Sequence, residues 1–102
     1  MIGPLEVRQT ETYARWYAGL RDVRARARID ARIRRLALGN LGDVKSLGGG
    51  ISELRIDYGP GYRIYIAQYG NALVLLLTGG DKAHQRADIV RARALAAEWE
   101  SD

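Results

Sequence analysis

Ser52-Glu53-Leu54-Arg55-Ile56-Asp57-Tyr58-Gly59-Pro60-Gly61-Tyr62-Arg63-Ile64-Tyr65-Ile66-Ala67-Gln68 is the stretch on which the fold turns. Two runs, 52–58 and 62–68, alternate apolar and polar residues around Gly59-Pro60-Gly61, as strands with one buried face do. A glycine in a three-residue loop takes the positive φ that closes a hairpin. This loop predicts a register in which Tyr58 faces Tyr62, Asp57 faces Arg63, Ile56 faces Ile64 and Arg55 faces Tyr65. Leu54, Ile56, Tyr58, Tyr62, Ile64 and Ile66 then share one sheet face, and Glu53, Arg55, Asp57, Arg63 and Tyr65 the other. A one-residue slip would mix the two sets, so their segregation argues for the pairing.

Beyond the hairpin, residues 72–77 are apolar without alternation, as in a central strand covered on both faces, and the run stops at Thr78-Gly79-Gly80. Asp81 suits the cap of a last helix, whose Ile89, Ala92, Leu95, Ala96 and Trp99 form an apolar stripe. Before the hairpin, residues 39–50 hold five glycines around a short edge strand, Val44-Lys45-Ser46-Leu47. Residues 23–38 are helical in period, with Ile29, Ile33 and Leu36 on one stripe and Arg21, Arg24, Arg28, Arg32 and Arg35 on another. Gly39-Asn40 stops that helix. Thr10 caps an earlier one carrying Tyr13, Trp16, Tyr17 and Leu20, and Leu5-Glu6-Val7-Arg8 alternates as a short strand. The order predicts an α+β domain: a mostly antiparallel sheet of four to five strands, two N-terminal helices packed on one face, and a C-terminal helix.

At 102 residues the chain suits one domain over 1–102, and 47% hydrophobic with 27% charged residues describes a chain that buries a core. With no cysteine there is no disulfide, thiolate nucleophile or thiolate metal site, and one histidine cannot hold zinc, so no metal or cofactor is expected. Met1-Ile2-Gly3-Pro4 opens neither a basic n-region nor an apolar h-region, and no stretch reaches the ~20 apolar residues of a membrane span. The expected location is the cytoplasm, with no membrane partner. Sixteen Lys+Arg against twelve Asp+Glu, net +4, favour an anionic partner.

Three features carry chemistry. Residues 21–35 hold seven arginines against Asp22 and Asp30. Regularly spaced guanidiniums contact successive phosphates without reading sequence. The competing reading is a solvated face neutralised by Asp22–Arg26 and Asp30–Arg34 pairs. On the polar sheet face Arg55 and Arg63 converge on an oxyanion, with Glu53 beside them as a proton acceptor, unless Asp57 opposite Arg63 occupies that guanidinium. Gly79-Gly80-Asp81-Lys82-Ala83-His84-Gln85 passes from strand to helix, where backbone N–H groups favour anions and Lys82 and His84 add charge and a proton. The glycines at 48–50 lack the GK[ST] and following helix of a nucleotide loop. Trp16 and Trp99 fall on the apolar stripes as core or partner-facing residues.

Together, Arg32-Ile33-Arg34-Arg35-Leu36, Gly39-Asn40-Leu41-Gly42-Asp43-Val44-Lys45, residues 53–65 and Leu75-Leu76-Leu77-Thr78-Gly79-Gly80-Asp81-Lys82 resemble the HigB-like addiction-module killer proteins, a phage-related branch of the RelE/ParE toxin superfamily. The resemblance runs over nearly the whole chain in order. It implies the toxin of a type II toxin–antitoxin pair, a metal-independent endoribonuclease that cuts mRNA on the ribosome with the ribose 2′-OH as nucleophile, thereby inhibiting translation and growth. It implies a hetero-oligomer with a cognate antitoxin, a HigA-like helix-turn-helix protein, and ribosome and mRNA as further partners. Carried onto this chain, Arg63 matches the phosphate-binding arginine, Arg55 a basic residue of the preceding strand, and Lys82 a basic group at the end of the last strand. Glu53 replaces a second basic residue of the RelE branch, so it either transfers the proton or is inert, and His84 is a candidate acid. Lys45, Arg24, Arg28, Arg32, Arg35 and Tyr65 complete the set as RNA contacts. The ParE branch keeps this fold while inhibiting DNA gyrase without catalysis, which stands as the alternative.

Overall fold

The computed structural model describes residues 4–101, so Met1-Ile2-Gly3 of the targeting argument lie outside the described residues. Strands β1 (Glu6–Gln9), β2 (Val44–Gly48), β3 (Ile51–Ile56), β4 (Tyr62–Tyr69) and β5 (Leu73–Asp81) form one mixed sheet in the order β1-β5-β4-β3-β2. β1 runs parallel to β5 and the other neighbours are antiparallel. Helices α1 (Glu11–Ala18) and α2 (Val23–Ala37) follow β1, and a single 3₁₀ turn, Lys82–His84, leads from β5 into α3 (Gln85–Glu100). Among the described residues no helix is long and apolar enough to cross a membrane.

Local chemistry sets these boundaries. The Thr10 side chain accepts the Tyr13 N–H and its hydroxyl donates to the Leu77 carbonyl (2.6 Å), capping α1 and fastening it to the central strand. Asp22 caps α2 by accepting from the Arg24 and Ala25 N–H groups. Asp81 accepts the His84 N–H and starts the 3₁₀ turn.

The alternation in the hairpin sorts the core into two layers. Tyr13, Ile29 and Leu36 from the first two helices pack on Leu54, Ile56, Ile64, Ile66, Val74 and Leu76. Ala92 and Ala96 of α3 pack on Ile51, Tyr65, Ala67, Leu75 and Leu77 of the other face. The sheet is thus covered on both sides, which is why β5 carries an uninterrupted apolar run.

The hairpin differs from the expected register by two residues. The observed partners are Glu53↔Tyr65, Leu54↔Ile64, Arg55↔Arg63 and Ile56↔Tyr62, and residues 57–61 form the connection. A two-residue shift leaves every side chain on its expected face. In this register Arg63 reaches Glu53, and Tyr58 lies outside the ladder with its hydroxyl donating to Asp22 of the α2 cap (3.0 Å). Gly59 and Gly61 at φ 56° and 79° then close the chain. Asp57 is exposed in this connection and does not face Arg63.

β5 also runs farther than expected, through Gly79 and Gly80, the register partners of Ile64 and Arg63. These glycines stand in the ladder, which corrects the expectation of a strand-to-helix anion loop. Their lack of side chains serves close approach: a Cβ on Gly79 would overlap the Trp16 indole from α1, and one on Gly80 would overlap the Asp88 carboxylate from α3. The two residues are clasped from opposite faces of the sheet. We expect Gly79→Ala to destabilise the fold by about 1–3 kcal/mol through overpacking, measured by urea denaturation, with Trp16→Leu in the same chain recovering part of the loss.

Candidate anion-binding site

The observed register makes Arg55 and Arg63 direct cross-strand neighbours, a pairing of like charges that is unfavourable by itself. The compensation lies in the same face. Glu53, two residues before Arg55 and diagonal to Arg63, is fully buried, with its Oε1 3.1 Å from Arg63 Nε and 3.9 Å from Arg55 Nε. Its Oε2 accepts a hydrogen bond from Gln85 Nε2 (2.8 Å), the first residue of α3. Inside the protein Oε2 is thus hydrogen-bonded, and Oε1 is held by ion pairing without a hydrogen bond. Glu53 holds the Arg63 guanidinium in place, and the expected role of accepting a proton from outside does not match its burial.

The two arginines differ in access. The Arg63 side chain is 11% exposed and Arg55 is 41% exposed, the latter also 3.9 Å from Asp43 Oδ1. Arg63 turns its Nε toward Glu53 and its Nη1 toward the Gly61 and Tyr62 carbonyls, each at 3.4 Å. The 3₁₀ turn borders this group: a Cβ on Gly61 would stand 3.4 Å from Lys82 Cβ and 3.6 Å from Arg63 Nη1. Lys82 and His84 are exposed on that turn. His84 Nδ1 lies 2.8 Å from Asp81 Oδ1, and this bond with the nearby carboxylate charge holds the imidazole above its usual range. Lys45 is the β2 partner of Glu53, exposed one strand out on the same face. The site thus presents Lys45, Lys82 and His84 to solvent, with Arg55 partly exposed and Arg63 nearly covered. A separate depression of about 330 Å³ between α1 and α2, lined by Tyr13, Tyr17, Asp30 and Arg34, contains none of these groups.

The structure removes two expected RNA contacts. Tyr65 is completely buried under α3, and burial, followed by the charge of Glu53, pushes its phenol well above the usual range. It faces the expected side of the sheet, but α3 covers that part. Arg32 is 7% exposed, and its guanidinium donates to the Arg55 carbonyl (2.7 Å), the Leu41 carbonyl (3.1 Å) and the Asp43 carbonyl (2.5 Å). Burial lowers its pKa. Gly42 leaves room for the clamp, since a Cβ there would lie 2.8 Å from Arg32 Nε. Arg32 is thus a structural strut between α2 and the start of the hairpin.

Arg24, Arg28 and Arg35 are exposed, and the acids expected to neutralise their helix are engaged elsewhere. Asp22 caps the helix and accepts from Tyr58, which lowers its pKa, and Asp30 accepts from the Tyr17 hydroxyl (2.7 Å). Among the described residues, none of Arg21, Arg24, Arg26, Arg28, Arg34 and Arg35 forms an ion pair within 4.0 Å. Sequence patterning did not single out Gln85, Tyr58 or Asp88. The first two act through tertiary contacts for which spacing carries no signal, whereas Gly80 was a trace of the third.

The chain belongs to the same family as an uncharacterized protein of Haemophilus influenzae, with 49% identity over 94 residues, covering 92% of this chain and 95% of that protein. No family model matches the sequence. Among solved structures the backbone is similar to a chain in the RelBE2 toxin–antitoxin complex of Mycobacterium tuberculosis, with a TM-score of 0.52 and 22% identity over 81% of this chain and 97% of that one. The α+β arrangement is that of the RelE-like fold.

The Asp81–His84 contact has a defined pH window. The raised His84 pKa contributes stability that is complete below its ordinary value of 6.5 and is lost as pH rises through the raised value. The lowered Asp81 pKa contributes stability present above its ordinary 3.8 and lost as pH falls through the lowered value. An NMR titration of the His84 ring should give a midpoint above 6.5, and Asp81→Asn should return it toward that value.

Proposed function

We propose that this chain is the toxin of a type II toxin–antitoxin pair, an endoribonuclease that cleaves mRNA on the ribosome. The observation that carries the reading is the adjacent Arg55–Arg63 pair, held over a buried carboxylate beside Lys82, with Arg55 partly exposed and Arg63 at the edge of the surface. A preorganised pair of guanidiniums suits a phosphodiester, whose charge grows during cleavage. The RelE-like fold supports the toxin class, and the neighbour's occurrence in a toxin–antitoxin complex supports an antitoxin partner here.

In the reaction the ribose 2′-hydroxyl gives its proton to solvent water as its oxygen bonds to the adjacent phosphorus, and the bond to the 5′-oxygen breaks, leaving a 2′,3′-cyclic phosphate and a 5′-hydroxyl. Arg63 and Arg55 take the charge of the phosphorane, and Glu53 is the positioning residue beneath them. His84, its proton favoured by Asp81, is the donor to the leaving 5′-oxygen, and Lys82 adds positive charge on the same turn. Arg24, Arg28 and Arg35 of α2, with Lys45 at the sheet edge, hold the surrounding RNA through phosphate contacts that carry no sequence information. An antitoxin segment bearing carboxylates on this surface would neutralise its charge and block RNA together.

Arg63→Ala should lower cleavage by on the order of 10²–10³, and Arg63→Lys, which keeps a charge over Glu53 but lacks the planar fork, should also be impaired. The measurement is induction in a bacterial host with mapping of new mRNA 5′ ends, circular dichroism confirming that each variant folds. Full toxicity of a folded Arg63→Ala protein overturns the assignment. Intact mRNA with inhibited DNA supercoiling would place the chain with gyrase inhibitors instead.

A further inference from the structure

Arg28 lies over the Tyr58 ring, its guanidinium carbon 4.7 Å from the ring centroid. The ring is itself fixed, because its hydroxyl donates to Asp22 (3.0 Å) and its body packs against the helix-side core layer. Long surface arginines ordinarily sweep through many rotamers. This one is exposed, has no ion pair among the described residues, and is nevertheless seated on an aromatic plane. A guanidinium backed by one ring presents its outer face to a second π system. Unstacked RNA bases are held on such planes.

The position matters as much as the pairing. One turn along α2 from Arg28, Arg32 bonds the Arg55 carbonyl (2.7 Å), so the helix is fastened to the end of β3 at successive points, Arg55 and Tyr58. Tyr58 belongs to the connection 57–61, whose other end, Gly61, adjoins Arg63 Nη1 and Lys82 Cβ. The connection 57–61 thus runs from the arginine–tyrosine stack on the α2 side of the sheet to the Arg63 and Lys82 cations on the α3 side. The nearest acids make no ion pair with Arg28: Asp22 is held by the helix cap and Tyr58, and Asp57 is exposed beyond the strand end.

We propose that Arg28, seated on Tyr58, is a stacking platform for an unstacked base of an RNA strand that continues around the hairpin end from the phosphate bound by Arg55 and Arg63. This rests on the RNA reading of the site and adds a base-binding subsite to it. An acidic protein partner would use the charge of Arg28 but not its plane, and that difference separates the two.

The test compares a single-stranded RNA oligonucleotide, 2′-O-methylated to prevent cleavage, with the same strand made abasic, each measured free and loaded on ribosomes by fluorescence anisotropy and co-sedimentation. Arg28→Lys keeps the charge and removes the plane. It should weaken binding of the base-bearing strand about tenfold and leave the abasic strand unchanged, and Tyr58→Leu should reproduce the loss. Equal binding of the base-bearing strand by wild type and Arg28→Lys, with Arg63→Lys still impaired, overturns the platform and leaves the RNA reading intact. Wild-type protein that binds neither strand, free or on ribosomes, overturns both.

Discussion

The carboxylate of Glu53, sealed between Arg63, Arg55 and Gln85, organises one whole face of the sheet. A buried charge without partners costs several kcal/mol, and removing one partner from a buried pair typically costs about 3–5 kcal/mol. The chain therefore has to bring β4 into the register that places Arg63 diagonal to Glu53, and α3 into the position that delivers Gln85. The same carboxylate permits two guanidiniums to stand side by side on neighbouring strands. Without it, their repulsion would work against the hairpin that displays them.

Charge elsewhere is distributed by a related logic. α2 contains two aspartates that helical spacing would pair with its arginines, yet Tyr58 and the helix cap engage one and Tyr17 engages the other. Arg32 turns inward onto three carbonyls. The remaining guanidiniums face solvent without an ion pair among the described residues, so α2 joins helix and hairpin on one side and keeps its positive field on the other. That division suits a surface that meets a polyanion, and the field would weaken with added salt.

Much of this was legible in the residues. Alternation in the hairpin sorts the strand residues onto the two sheet faces correctly because a face depends only on parity, and the apolar stripes locate the three helices. The register itself was not legible, since a shift of two residues preserves every face and the alternatives differ only in tertiary contacts such as Glu53 with Arg63 and Tyr58 with Asp22. The glycines at 79 and 80 read as a break because local pattern cannot register that Trp16 and Asp88 approach from above and below. Tyr65 and Arg32 were misplaced for one shared reason. Polar or aromatic spacing marks a face, and whether another element covers that face is decided by tertiary packing.

On the proposed function a phosphodiester binds at Arg63 and Arg55. The most direct measurement is an NMR titration observing arginine Nε–H resonances while a non-cleavable RNA oligonucleotide is added to the isotopically labelled protein. The Arg63 and Arg55 signals should shift at lower RNA concentration than those of Arg24 and Arg34 on α2. Shifts confined to the α2 arginines, with Arg63 and Arg55 unmoved at saturation, would contradict this binding.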